Sequence, residues 1–244
     1  MYGYGIDAGL SDERDSNRVI KLQGRRLLDE GLVASLGGEI DLGPSSPATA
    51  WRERAAAVAA ELDERGIYPL GVDCALTLAQ ADDGRPFENL VSSPFKTPAS
   101  FDPWPTGPSA SWIVLARLWS EIAYLLIEKR GWTLWAGQRR LTGSKLLVEI
   151  YPRLCWATLA ACLQVPVTKE YSSSVQVRDD TLSQLELSVS GRQRLNDDLR
   201  EAAVCAITAS KVATRTAGFL GTEAEASPDQ PAYVGGGVAV PWLR

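Results

Sequence analysis

The sequence predicts a single α/β domain built on a mixed sheet, on three observations: short apolar runs alternate with longer helical patterns, the beginning is hairpin-like, and no internal repeat divides the chain. With 244 residues, 45% hydrophobic and 23% charged, the chain has the balance of a globular protein able to bury a full core.

Residues 2–10 read as a first strand, apolar and glycine-rich, with Asp7 near its end. Val19 to Leu22 is a second strand, and Gly37-Gly38 before Glu39-Ile40-Asp41-Leu42 marks a third. Ser46-Pro47 has the form of a helix start, and Ala55, Val58 and Leu62 recur after Trp51 at helical spacing until Gly66. Ile67 to Leu76 then reads as a central strand with Asp73 embedded. Gly84 and six prolines across residues 81–108 predict a long loop insertion.

A helix from about Ser109 to Lys129 places Trp112, Leu115, Trp119, Ile122 and Leu126 on one face. Trp132 to Ala136 and Leu146 to Ile150 are strand-like, and Pro152 opens a short helix through Leu163. Residues 172–180 read as loop and 181–190 as helix. Asn196 caps an alanine-rich helix from Asp197 to Ala217, closed by Gly218. Glu223 to Pro231 reads as a linker, and Val238 to Trp242 as a last strand in a C-terminal tail over about 222–244.

Composition removes several chemistries. There is no histidine, so Ser-His and Cys-His mechanisms and His-ligated zinc are excluded. The four cysteines, Cys74, Cys155, Cys162 and Cys205, lie in apolar runs without Cys-x-x-Cys spacing and read as buried thiols of a reducing compartment. The net charge of -5 argues against coating nucleic acid non-specifically, while leaving room for a local basic groove. The first residues carry no basic stretch and no long apolar core, and the apolar segment 112–127 contains Arg117 and Glu121. A cytoplasmic protein with no membrane partner is therefore expected.

What remains is carboxylate chemistry. Asp7 and Asp73 occupy strand ends where Val or Ile would be the inexpensive choice, and Glu149 in Leu146-Leu147-Val148-Glu149-Ile150 repeats the pattern. Each alone fits a loop cap or an arginine partner equally well. Ends of adjacent parallel strands, however, meet at one edge of a sheet, where ligands bind. Asp198 and Glu201 are three apart and share a face of the helix start, though acids also favour a helix amino terminus in general. Small residues after them, Ala202, Ala203, Cys205, Ala206 and Ala209, let that helix lie close to a sheet. Converging oxygen ligands suit Mg²⁺ or Mn²⁺.

Four pieces in order, Gly5-Ile6-Asp7, Val72-Asp73-Cys74-Ala75-Leu76, Val148 to Pro152 and Asp197 to Ala209, resemble a family of uncharacterised nucleases with an RNase H-like fold. The resemblance implies a mixed sheet with helices on both faces and divalent-metal hydrolysis of nucleic-acid phosphodiesters, DNA or RNA. It implies Asp7, Asp73, Asp198 and Glu201 as metal ligands, with Glu149 as a ligand or substrate contact. Glu201 stands where that family more often carries Asp. Arg85, Lys145 and Arg153 are candidate phosphate contacts, each also readable as a solvated surface charge. Arg139-Arg140 beside Trp132 and Trp135 fits either contact with single strands or core packing of the indoles. A phosphotransferase or ATPase on the same fold lacks its glycine-rich phosphate turns here, and a non-catalytic binding module is the remaining class.

Overall fold

The computed structural model describes residues 1–9, 16–36, 48–77, 110–141, 143–165, 175–190, 195–227 and 232–242. The strands are β1 (Tyr2–Asp7), β2 (Arg18–Gln23), β3 (Arg26–Leu32), β4 (Leu70–Asp73), β5 (Thr133–Leu134), β6 (Leu146–Glu149), β7 (Ser188–Ser190), β8 (Ala217–Ala226) and β9 (Tyr233–Pro241). The helices are α1 (Ala48–Glu64), α2 (Ala110–Arg130), α3 (Pro152–Cys162), α4 (Val175–Gln184) and α5 (Asp197–Ala213). Seven strands form one mixed sheet in the order β5-β6-β4-β1-β2-β3-β7, and β8 and β9 form a separate antiparallel ribbon. The α/β fold expected from the sequence is present.

Strand alternation sorts side chains between two cores. Tyr4, Ile6, Val19, Leu70, Val72 and Leu147 face α1 and α2, where Val58, Leu62, Leu118, Trp119 and Ile122 meet them. Ile20, Leu22, Leu27, Leu146 and Val148 face the other way, towards α3 and α5. Helices thus cover both faces of the sheet.

On the α5 side, β1 and β4 offer almost no side chain. A Cβ at Gly5 would stand 2.0 Å from the Ala202 carbonyl oxygen, one at Gly3 2.6 Å from that of Ala206, and one at Gly71 2.5 Å from that of Cys205. The helix therefore lies directly on the strand backbones, and its small residues Ala202, Cys205, Ala206 and Ala209 are fully buried there. Asn196 begins α5 as expected, its side-chain oxygen accepting the Leu199 amide at 2.9 Å.

Several boundaries differ from the sequence reading. The third strand of the sheet is Arg26–Leu32; the Glu39–Leu42 strand, the Ser46-Pro47 cap and the insertion at 81–108 lie outside the described residues. Beta3 forms a hairpin with β2 across Gly24, whose φ is +62°. Arg18 and Lys21 pair with Asp29 and Glu30, so the charges of this hairpin neutralise one another across the strands.

The helix expected at 181–190 instead spans Val175–Gln184, so residues 175–180 are helical where a loop was expected, because Val177, Thr181 and Leu182 recur at helical spacing and are buried. Residues 188–190, expected to continue the helix, form a strand that pairs with β3. Alpha5 stops at Ala213, with Arg215 taking the left-handed conformation (φ 59°) expected of Gly218. Gly218 instead lies in β8, packed under the Trp242 indole, and Glu223–Ala226 continue that strand, where a linker was expected. No helix among the described residues is long and apolar enough to cross a membrane.

The ribbon β8–β9 joins the sheet at an Ile150–Ala239 bridge. It also meets the exit of β4: the Thr77 hydroxyl donates to the Gly235 carbonyl at 2.6 Å, and Gly236, at φ +76°, lies where a side chain would strike Thr77.

Gly5→Ala is expected to lower unfolding free energy by at least about 2 kcal/mol, since the backbone of α5 has nowhere to retreat. Gly143, with open space around it, is the control: Gly143→Ala should stay within about 0.5 kcal/mol of the parent in chemical denaturation.

Candidate acidic site

Beta1 and β4 are parallel neighbours in a register that sets Asp7 directly opposite Asp73. Both acids share strand parity with Gly5 and Gly71, so both project from the face that α5 covers. They are half-buried at the carboxyl ends of their strands, and a hydrogen bond links the two carboxyl groups. Alpha5 starts above them and brings its first turns to the same corner, and Asp7 feels the charge of both Asp198 and Glu201.

This crowding shifts proton affinities. Desolvation holds the Asp7 carboxyl well above the usual carboxylate range, and the charges of Asp73, Asp198 and Glu201 push in the same direction. Asp73 is raised as well, first by desolvation and then by Glu201, against the lowering influence of Arg153. The pair accordingly holds its protons more tightly than isolated aspartates would. Two carboxyl groups so placed either share a proton or exchange it for a cation.

Asp198 accepts a hydrogen bond from the Ser16 hydroxyl at 3.1 Å, which ties the start of α5 to the segment entering β2. Glu201 is held from two sides. Arg178 Nη1 on α4 stands 2.7 Å from Oε1, and the Trp156 indole of α3 donates to Oε2 at 3.2 Å. Its own pKa is raised, with burial outweighing the opposing influence of Arg178.

Arg153, in the first turn of α3, acts electrostatically on Asp73 and Glu201, so the structure brings this candidate to the acidic corner. Tyr151 belongs to the same surroundings; burial, Asp73 and Glu201 push its phenol up to about 12. Beneath the acids lie Cys155 and Cys205, fully buried, with thiols raised by desolvation and by the nearby carboxylates. They are packing residues, as their apolar surroundings suggested, and Cys162 is the more exposed of the free thiols.

Of the other predicted site residues, Glu149 stands on the opposite face of the sheet while its charge still raises Asp73, and Lys145 lies away from the site. Glu149 reaches the same end of the sheet, but its register partner is Val72, so it projects from the opposite face to Asp73. There it is buried and accepts the Leu76 amide at 2.9 Å, fixing the turn that follows Asp73. The sequence could not separate the two faces, because an acid at a strand end looks alike on either. Lys145 precedes β6 at the other end of the sheet, roughly 13 Å along the strand from Glu149. It pairs with Asp63 at 2.7 Å, beside the Trp132 indole that donates to the same carboxylate. Arg85 lies outside the described residues. Trp132 and Trp135 are buried, so packing is their role.

Arg178, Trp156 and Ser16 were not anticipated. Arg178 fell in the segment read as loop, and its burial is visible only once α4 is recognised as a helix. Among the described residues, no three acidic or thiol side chains already stand as a ready ligand shell. Searches against protein-family models, curated proteins and solved structures give no significant match.

The raised pair has a pH signature. Between the ordinary aspartate range and the elevated native values, the folded state binds more protons than the unfolded state, so this pair's contribution to stability falls as pH rises. In the absence of divalent cation, Asp7→Asn is expected to gain thermal stability relative to the parent at pH 8 and to lose that advantage at pH 4. Melting curves of the two proteins across this range check it. Glu149→Ala should cost about 2–3 kcal/mol by stranding the Leu76 amide, with Glu149→Gln milder because it keeps an acceptor.

Proposed function

We propose that this chain is a divalent-metal-dependent nuclease of RNase H-like type, acting on DNA or RNA phosphodiesters. The observation that carries the reading is the register-matched Asp7–Asp73 pair, facing the acidic start of α5 and too crowded with negative charge to ionise freely. It is supported by the placement of these acids on a first strand, a central strand and a late helix, the order that the sequence resemblance implies.

The residues present fit a hard divalent ion. Asp7 and Asp73 provide carboxylate oxygens side by side, Asp198 adds a third acid within electrostatic reach, and the nearby thiols are protonated and buried. Mg²⁺ or Mn²⁺ held there would polarise and orient an attacking water and would neutralise charge developing on phosphate oxygens. The chain's own contribution is placement. Beta1 and β4 fix the two aspartates at one level, α5 brings Asp198 within electrostatic reach of Asp7, and Arg153 sets a positive charge beside the acids where a phosphate group would arrive.

Incubation with Mn²⁺ and labelled single- and double-stranded DNA and RNA tests the reading. Cleavage is expected from the parent, falling by at least about a hundredfold in Asp7→Asn and in Asp73→Asn. Arg153→Ala should raise KM more than it lowers kcat. Phosphate release from ATP without strand cleavage would replace the reading with a phosphotransferase, and a well-folded protein that neither cleaves nor binds Mn²⁺ would end it.

A further inference from the structure

Glu201 is the acid whose surroundings differ most from those of its neighbours. Asp7 and Asp73 face each other, whereas both oxygens of Glu201 already receive N–H donors from two different helices: Arg178 at 2.7 Å and Trp156 at 3.2 Å. Arg178 has only 7% of its side chain exposed and also stands 3.7 Å from Asp197, the first residue of α5. One position along, the charges are reversed: Asp179 of α4 receives Arg200 of α5 at 2.8 and 3.0 Å, and Arg200 is likewise buried. Alpha4 is thus fastened to the site helix by two oppositely directed ion pairs on adjacent residues. Of the two, only the Arg178 pair ends on a carboxylate that Asp7 and Asp73 feel.

We infer that Arg178 is a positioning residue that withholds Glu201 from direct metal ligation, leaving it beside the ion as a fixed, compensated charge. The inference rests on the metal-dependent reading above and revises the ligand set that the sequence resemblance implies. A carboxylate that accepts a guanidinium on one oxygen and an indole on the other has its orientation set and both oxygens engaged. The longer glutamate side chain is what lets it reach back to α3 and α4. A buried guanidinium at 2.7 Å also repels a dication from that oxygen, so Asp7, Asp73 and Asp198 are left to hold the ion.

Mn²⁺ binding to the full chain, measured by calorimetry and by the electron paramagnetic resonance of free ion, tests this without an activity assay. Asp7→Asn is expected to weaken Mn²⁺ at least about tenfold, and Glu201→Gln to change it by no more than about threefold. Arg178→Met releases the Glu201 carboxylate and should tighten Mn²⁺ about tenfold, a gain that the double variant Arg178→Met/Glu201→Gln removes. Arg178→Lys, keeping the charge, should retain the parental affinity. A purely structural arginine would lower the melting temperature of Arg178→Met without this gain.

Two results overturn the inference while leaving the nuclease reading intact: Glu201→Gln as damaging to Mn²⁺ binding as Asp7→Asn, or no tightening in a folded Arg178→Met. If Arg178→Met does not fold, the Glu201→Gln comparison alone decides. A parent protein that binds no Mn²⁺ overturns both readings together.

Discussion

The close approach of α5 to the backbones of β1 and β4 is the constraint on which the rest of this molecule depends. Gly3, Gly5 and Gly71 clear one face of two central strands, and a run of small helix residues fills the cleared space. Because the helix lies this near the sheet, its first turns come down beside the strand ends. Acids from three remote parts of the chain are thereby brought into one electrostatic neighbourhood. With larger residues at those glycines the helix would stand off, and Asp198 and Glu201 would face solvent instead of Asp7 and Asp73.

That proximity is held against its own electrostatic cost. The aspartate pair has its proton affinity raised, Glu201 has a buried arginine and an indole, and Asp198 has the Ser16 hydroxyl. Each acid has been given a different way to live with its neighbours, and the difference is a guide to role. The pair whose crowding raises both its members, with Arg153 opposing it at Asp73, has the most to gain from a cation. A residue with two N–H donors in place has the least.

Much of this arrangement was legible in the amino-acid sequence because it rests on local rules. Apolar runs ending in acid marked β1 and β4, the Asn196 cap marked the start of α5, and its alanines announced close packing. Strand parity was the information missing for Glu149: a one-residue offset in register, invisible in the chain itself, sends it to the opposite face. Lys145 was separated from the site by the direction of β6, which only the sheet topology supplies. Arg178 was hidden by a serine-rich approach to a helix too polar to stand out. The end of α5 was misplaced because Arg215, not a glycine, adopts the left-handed turn.

The ribbon at the far end of the sequence has a mechanical bearing on this corner. Thr77, four residues beyond Asp73, is clasped by Gly235, and the glycines around it admit no side chain between ribbon and strand exit. The turn carrying Asp73 is therefore buckled from outside by residues more than 150 positions later. Loosening that clasp, by a protease nick in the ribbon or a bulky graft on it, would slacken the central acid without touching any residue of the acidic corner.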